Sequence, residues 1–169
     1  MKRILVPIAM VALLIIAAVP AAGSSHPIIK GSGVAQNDNS GVFPVGTVGI
    51  GGFNADTKEG VAKGKVKFQT EYPRGTVLSQ LQGRVVCYEW TTGVPAGGQG
   101  WEIRFVVISS SGTYAVPVGK YGSIYVQDNG KTGDMIDETF DNPDDPNCGQ
   151  SDASVGWEAM LEGGIKIKG

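Results

Sequence analysis

Lys65-Val66-Lys67-Phe68-Gln69-Thr70-Glu71-Tyr72 is the stretch on which the fold class turns. Polar and apolar side chains alternate along it. Period two is the mark of a strand with one buried and one wet face. Val66, Phe68 and Tyr72 are therefore expected on one side, with Lys65, Lys67, Gln69 and Glu71 in water. Downstream, Pro73-Arg74-Gly75-Thr76 reads as a turn.

Leu81 to Trp90 is the next strand. Period two there sends Val85 and Cys87 one way, and Val86, Tyr88 and Trp90 the other. Thr91 to Gly100 is a glycine-rich connector. Trp101 to Ile108 is a strand with Trp101, Ile103, Phe105 and Val107 on one face. Ser109 to Thr113 is a turn. Tyr114 to Val118 is a short edge strand, because Pro117 lacks a ladder donor. Ser123 to Gln127 is followed by Asp128-Asn129-Gly130, a tight-turn signal. Met135 to Phe140 returns, Asp141 to Ser154 is a loop, and Trp157 to Leu161 and Gly164 to Lys168 are two short closing strands. Upstream, Thr47 to Phe53 is a first strand weakened by its glycines, and residues 25–46 read as a largely irregular arm with at most an edge strand at Ile28-Ile29. The pattern predicts an all-β chain, an antiparallel β-sandwich or barrel of about 7–9 short strands, with residues 47–169 as a single β domain.

Residues 1–24 read as a signal peptide. Lys2 and Arg3 form a positive start, Ile4 to Val19 is apolar with Pro7 as its one break, and small residues from Ala21 to Ser25 place the cleavage between 21 and 25. A spanning helix needs about 20 apolar residues, so a retained anchor is the weaker alternative. No second apolar run follows, so no membrane span is expected after cleavage. The chain has 14 basic and 16 acidic residues among 169, a net charge of -2; without Lys2 and Arg3 the balance is 12 against 16, or -4. That excludes a strongly basic nucleic-acid binder.

Cys87 and Cys148 are the only cysteines. Export places them where disulfides persist, and a bridge closing so long a loop contributes roughly 3–5 kcal/mol in the chain-entropy model. Free thiols, a metal pair or a redox pair are the alternatives; a redox pair would show Cys-x-x-Cys, which is absent.

Asp128, Asp134, Asp137, Glu138, Asp141, Asp144 and Asp145 crowd one segment. Calcium favours such oxygens on a turning backbone, and Asp128, Asp134 and Asp137 are the candidate ligands. The helix-loop-helix calcium pattern fails, since its twelfth place counted from Asp128 is Thr139. A solvated acidic loop, with no cofactor, is the plainer expectation. Tyr88, Trp90 and Trp101 flank the connector 91–100, where exposed rings would stack on sugars; the alternative is that they are core. His26 is the single histidine and lies beside the cleavage site, so no catalytic residue is assigned.

A further pattern runs through the second half. Gly83-Arg84-Val85-Val86-Cys87 is followed by Val126-Gln127-Asp128-Asn129-Gly130, then Gly133-Asp134, Asn147-Cys148-Gly149, and Gly163-Gly164-Ile165-Lys166-Ile167. In this order the chain resembles small exported bacterial proteins similar to the post-COAP domain, which follows choice-of-anchor modules. The resemblance covers Val61 to Gly169. It implies a compact β domain with its two cysteines bridged, and it carries no established activity. The chain departs from it in having no anchor module ahead of the domain and a longer connector at 91–100.

The expectation is an exported, non-enzymatic extracellular or cell-envelope β domain, serving as a binding, adhesion or structural module. Its partner would be a glycan or an envelope component, with no nucleic acid. The alternative is a secreted hydrolase using a carboxylate pair.

Overall fold

The computed structural model describes residues 27–37, 43–59, 61–91, 99–130, 133–140, 142–149 and 158–168. Residues 1–24, read from the sequence as a signal peptide, lie outside the described residues. The strands are β1 (Ile28–Asn37), β2 (Thr47–Lys58), β3 (Val61–Glu71), β4 (Val77–Trp90), β5 (Gln99–Gly112), β6 (Tyr121–Asp128), β7 (Met135–Thr139) and β8 (Glu158–Lys168). Each pairs antiparallel with the next, and β8 pairs with β1 to close a barrel. Of the sandwich and the barrel, the chain forms the barrel, and closure leaves no strand without a neighbour on each side.

Apolar side chains point inward. Ile29, Phe53, Val66, Val85, Ile103, Phe105, Val107, Ile124, Val126 and Ile165 form the buried core. Lys63, Lys65, Lys67 and Arg84 stand exposed on the outside. This is the reverse of a lipid-spanning barrel, whose apolar band faces outward.

Eight strands enclose an interior just wide enough for side chains to fill. Here filling relies on glycine set opposite phenylalanine. Gly31 faces Phe53, Gly51 faces Phe68, and Gly122 faces Phe105 in direct register. A Cβ at Gly31 would sit 2.3 Å from the Phe53 ring, and one at Gly51 would sit 2.4 Å from that of Phe68. Each ring lies over the bare backbone of its neighbour, so one residue supplies the volume for two.

Several sequence expectations are corrected. Residues 25–46 are not a largely irregular arm: Ile28–Asn37 is a full strand paired on both sides, and it closes the barrel. Tyr114 to Val118 forms no strand; residues 113–120 are turn and loop. The two short closing strands are one strand, β8, whose register against β1 shifts at Val34/Ala35. Val85 and Cys87 do not share a face. A bulge between Val85 and Cys87 resets the alternation, so Val85 and Tyr88 enter the core while Cys87 pairs with outward-facing Arg104. Tyr72 lies past β3, beyond a second register shift at Thr70/Glu71, and is 40% exposed.

Candidate functional site

The aromatic candidates gather at the barrel end that carries the β4–β5 connection. Tyr88 and Trp101 sit on the inward faces of β4 and β5. Tyr88 is 5% exposed, and its hydroxyl shares a 2.7 Å hydrogen bond with Thr57 Oγ1. Burial is the main effect holding that phenol above its ordinary value; the Thr57 bond opposes it and the charge of Asp56 adds to it. Trp101 packs on the core, its ring centroid 6.1 Å from that of Tyr88. Trp90 lies directly across from Trp101, edge to face at 5.8 Å, and is 50% exposed. The three rings thus form a graded series: Tyr88 is core, Trp101 is half-buried, and Trp90 is a platform held from behind. Edge-to-face pairs of this kind are worth about 0.5–1.5 kcal/mol beyond their area, which limits how far the Trp90 ring can wander.

The disulfide forms. Cys87 and Cys148 are joined with Cα atoms 6.0 Å apart. The bridge pins residues 142–149, which run as a strap over the outer faces of β6, β5 and β4. Beneath the strap lie Glu102 and Arg104, 1% and 0% exposed, though both stand on the outer face of β5. Arg104 donates to the carbonyls of Asn142 and Asp145, at 2.6 and 2.7 Å from Nη2, and from Nη1 to Ser123 Oγ at 2.8 Å. Ser123 in turn donates to Glu102 Oε1 at 2.6 Å, and Glu102 Oε2 accepts the Gly149 N–H at 2.7 Å. A buried cation and a buried carboxylate are therefore linked through one hydroxyl, and between them they hold both ends of the strap. Tyr121 N–H donates to Pro143 O, and Lys120 pairs with Asp144 at the strap's edge. Glu89 sits opposite Glu102 in register; partial burial first, and then the charge of Glu102, hold its carboxyl above the usual range.

The acidic candidates are placed along the β6–β7–β8 seam. Among the described residues β7 pairs with β8 at Met135/Ala159 and Ile136/Glu158. Farther along β8, carboxylates stand in for the missing strand. Asp134, buried, accepts the N–H of Asn129 on Oδ1 at 3.0 Å and that of Ile165 on Oδ2, while its own carbonyl accepts Met160 N–H at 2.9 Å. Asp128 accepts Gly130 N–H at 3.0 Å and Ile167 N–H at 3.4 Å. Asp137 is on the other face of β7 from the core residue Ile136. Among the described residues, no three of His, Cys, Asp and Glu gather as a metal-ligating group.

Glu138 shares its face of β7 with Ile136, which pairs with Glu158, and is itself exposed. The protein packed around it, and then the charges of Asp137 and Glu158, push the Glu138 carboxyl up from 4.5 to about 7. Its surface stays open to water, which weakens the first of these effects. Between 4.5 and about 7 the native chain keeps a proton that the unfolded chain has released. The stability that this proton carries is complete below 4.5 and is lost as the pH rises through about 7. Glu138→Gln is expected to flatten the fall in urea midpoint over that window and to raise the midpoint above it. A parent-like slope in the variant would contradict the assignment.

No family model, curated protein or solved structure matches this chain. Among the described residues no helix is long and apolar enough to cross a membrane.

The sequence singled out Trp90 and the two cysteines. It missed Arg104, Glu102 and Ser123. Their one signal was the Glu-x-Arg pair interleaved with Trp101, Ile103 and Phe105, which period two reads as an ordinary wet face.

Proposed function

We propose that the chain is an exported, non-enzymatic binding module of the cell envelope or extracellular space, taking a glycan at its Trp90 end. The observation that carries this reading is Trp90 itself: a half-exposed indole braced edge to face by Trp101, beside the β4–β5 connection. A large ring left in water costs hydrophobic stabilisation, and a braced ring loses little freedom when a sugar stacks on it. Export is supported by the apolar start of the sequence and by a disulfide, which persists in oxidising compartments. The resemblance of Val61 to Gly169 to post-COAP domains agrees with an envelope setting.

A glycan array probed with the mature chain tests the reading. One class of glycan is expected to bind, and Trp90→Ala is expected to weaken it roughly thirtyfold, the loss of about 2 kcal/mol typical of a central aromatic contact. An array without binders, or salt-insensitive binding that Trp90→Ala leaves intact, would overturn it.

One observation favours a second reading, the secreted hydrolase. A carboxyl raised to about 7 near a second carboxylate, as Glu138 stands to Glu158, is the pattern of a general acid with an ionised partner. Release of reducing ends from a polysaccharide panel, lost in Glu138→Gln, would support it.

A further inference from the structure

We infer that the outer face of β8, β1, β2, β3 and β4 binds an extended anionic polysaccharide along a single cross-strand row of cations. Lys166 of β8 is opposite Lys30 of β1, Lys30 is opposite Asn54 of β2, Asn54 is opposite Lys65 of β3, and Lys65 is opposite Arg84 of β4. All five side chains are exposed. Lys67 flanks the row on one side; Lys63 and Lys168 flank it on the other, all exposed. The nearest acid in register is Asp56, opposite Lys63.

Like charges set directly opposite across a sheet destabilise it, and this row holds two such pairs, Lys166/Lys30 and Lys65/Arg84. Among the described residues the salt bridges are Arg74–Glu162 and Lys120–Asp144, and neither involves a member of the row. In a chain with a net acidic charge, neutralising acids were available. Asp137 on β7 and Asp144 and Asp145 in the strap lie on the other side of the barrel, while Asp56 and Asp128, which accepts the Ile167 N–H, border the row without a salt bridge to it. The strap covers the outer faces of β6, β5 and the Cys87 end of β4, and Arg84 at the end of the row stays exposed.

The row's shape selects the ligand. Neighbouring strands are about 4.8 Å apart, so the row runs about 19 Å around the barrel. That is a line of two adjacent cation pairs separated by the neutral Asn54, suited to a chain that carries more than one negative group along its length. No large apolar side chain stands within the row to enter a lipid surface, and the face is convex. The choice of a polysaccharide over nucleic acid rests on the export reading. The row is independent of the Trp90 platform, which belongs to one end of the barrel.

The test uses the mature chain and polygalacturonate as probe, with dextran, anionic phosphatidylglycerol vesicles and duplex DNA alongside. Polygalacturonate is expected to bind and dextran not to, with affinity falling more than about tenfold between about 50 and about 200 mM salt. Lys30→Glu combined with Lys65→Glu converts both like-charge pairs into opposite-charge pairs. Its melting temperature should therefore hold or rise, while polygalacturonate affinity drops by roughly tenfold or more. Trp90→Ala should leave that affinity unchanged, which separates this site from the aromatic one. Several outcomes would overturn the inference: no binding to polygalacturonate, full binding by the double variant, preference for vesicles, or equal binding to DNA. Salt-sensitive self-association without polymer, abolished by the double variant, would assign the row to a second copy of this chain.

Discussion

Arg104→Met is expected to lower stability by about 3–5 kcal/mol, the range for breaking one side of a buried charge pair. Methionine keeps most of the aliphatic bulk but none of the donors. The carbonyls of Asn142 and Asp145 lose the guanidinium, and the buried Glu102 carboxylate loses the cation that Ser123 links to it. The disulfide would still tether Cys148, so the strap should loosen while staying attached. Urea unfolding gives the magnitude. Amide exchange gives the place: the N–H groups of Tyr121 and Gly149, bonded to Pro143 O and Glu102 Oε2, should lose protection before those of β2 and β3. Arg104→Met combined with Glu102→Met should recover part of the loss, because removing both charges removes the uncompensated one. A single variant as stable as the parent would mean that the network is ornamental and that the disulfide alone holds the strap.

Asp134→Ala is expected to cost about 2–4 kcal/mol, from two backbone donors left without acceptors at about 1–3 kcal/mol each when buried. The N–H of Ile165 is the more costly orphan, since Ile165 is a core residue. Among the described residues β7 reaches β8 at two positions, which makes this the most sparsely paired seam described in the barrel. Opening should therefore begin there, with fast exchange at Ile165 and Ile167 before the rest of β8. Asp134→Asn keeps one acceptor oxygen and should fall between alanine and the parent. An unchanged melting temperature in Asp134→Ala would contradict the seam role.

Both variants bear on what the sequence could reveal. β5 was legible because period two runs through Trp101, Ile103, Phe105 and Val107, and β3 was legible up to the register shift at Thr70/Glu71. β1 was not, since its inward positions include Gly31 and Gly33, and the rings and chains that fill those places belong to Phe53 and Met160 on other strands. A strand that lends space instead of volume has no hydrophobic alternation to read. The bulge between Val85 and Cys87 also carries no composition signal, yet it decides which way the cysteine points. Tyr88, Trp90 and Trp101 were found as a group, but their gradation from core to surface depends on where the barrel ends. The cation row was hidden for a different reason. Its members are scattered from Lys30 to Lys166, and only the strand register sets them side by side, so a net acidic charge concealed a basic face.

The glycan-binding account rests on Trp90 as the contacting ring, and the indole N–H resonances test it most directly. The chain has three tryptophans, so a nitrogen-15 spectrum of the mature protein gives three indole peaks, which single Trp→Phe variants assign. On titration with the glycan selected by the array, the Trp90 peak is predicted to shift most, Trp101 behind it to shift less, and the amides of Gly149 in the strap and of Tyr121 bonded to it to stay in place. A titration that leaves the Trp90 indole unmoved while the glycan binds would contradict the account.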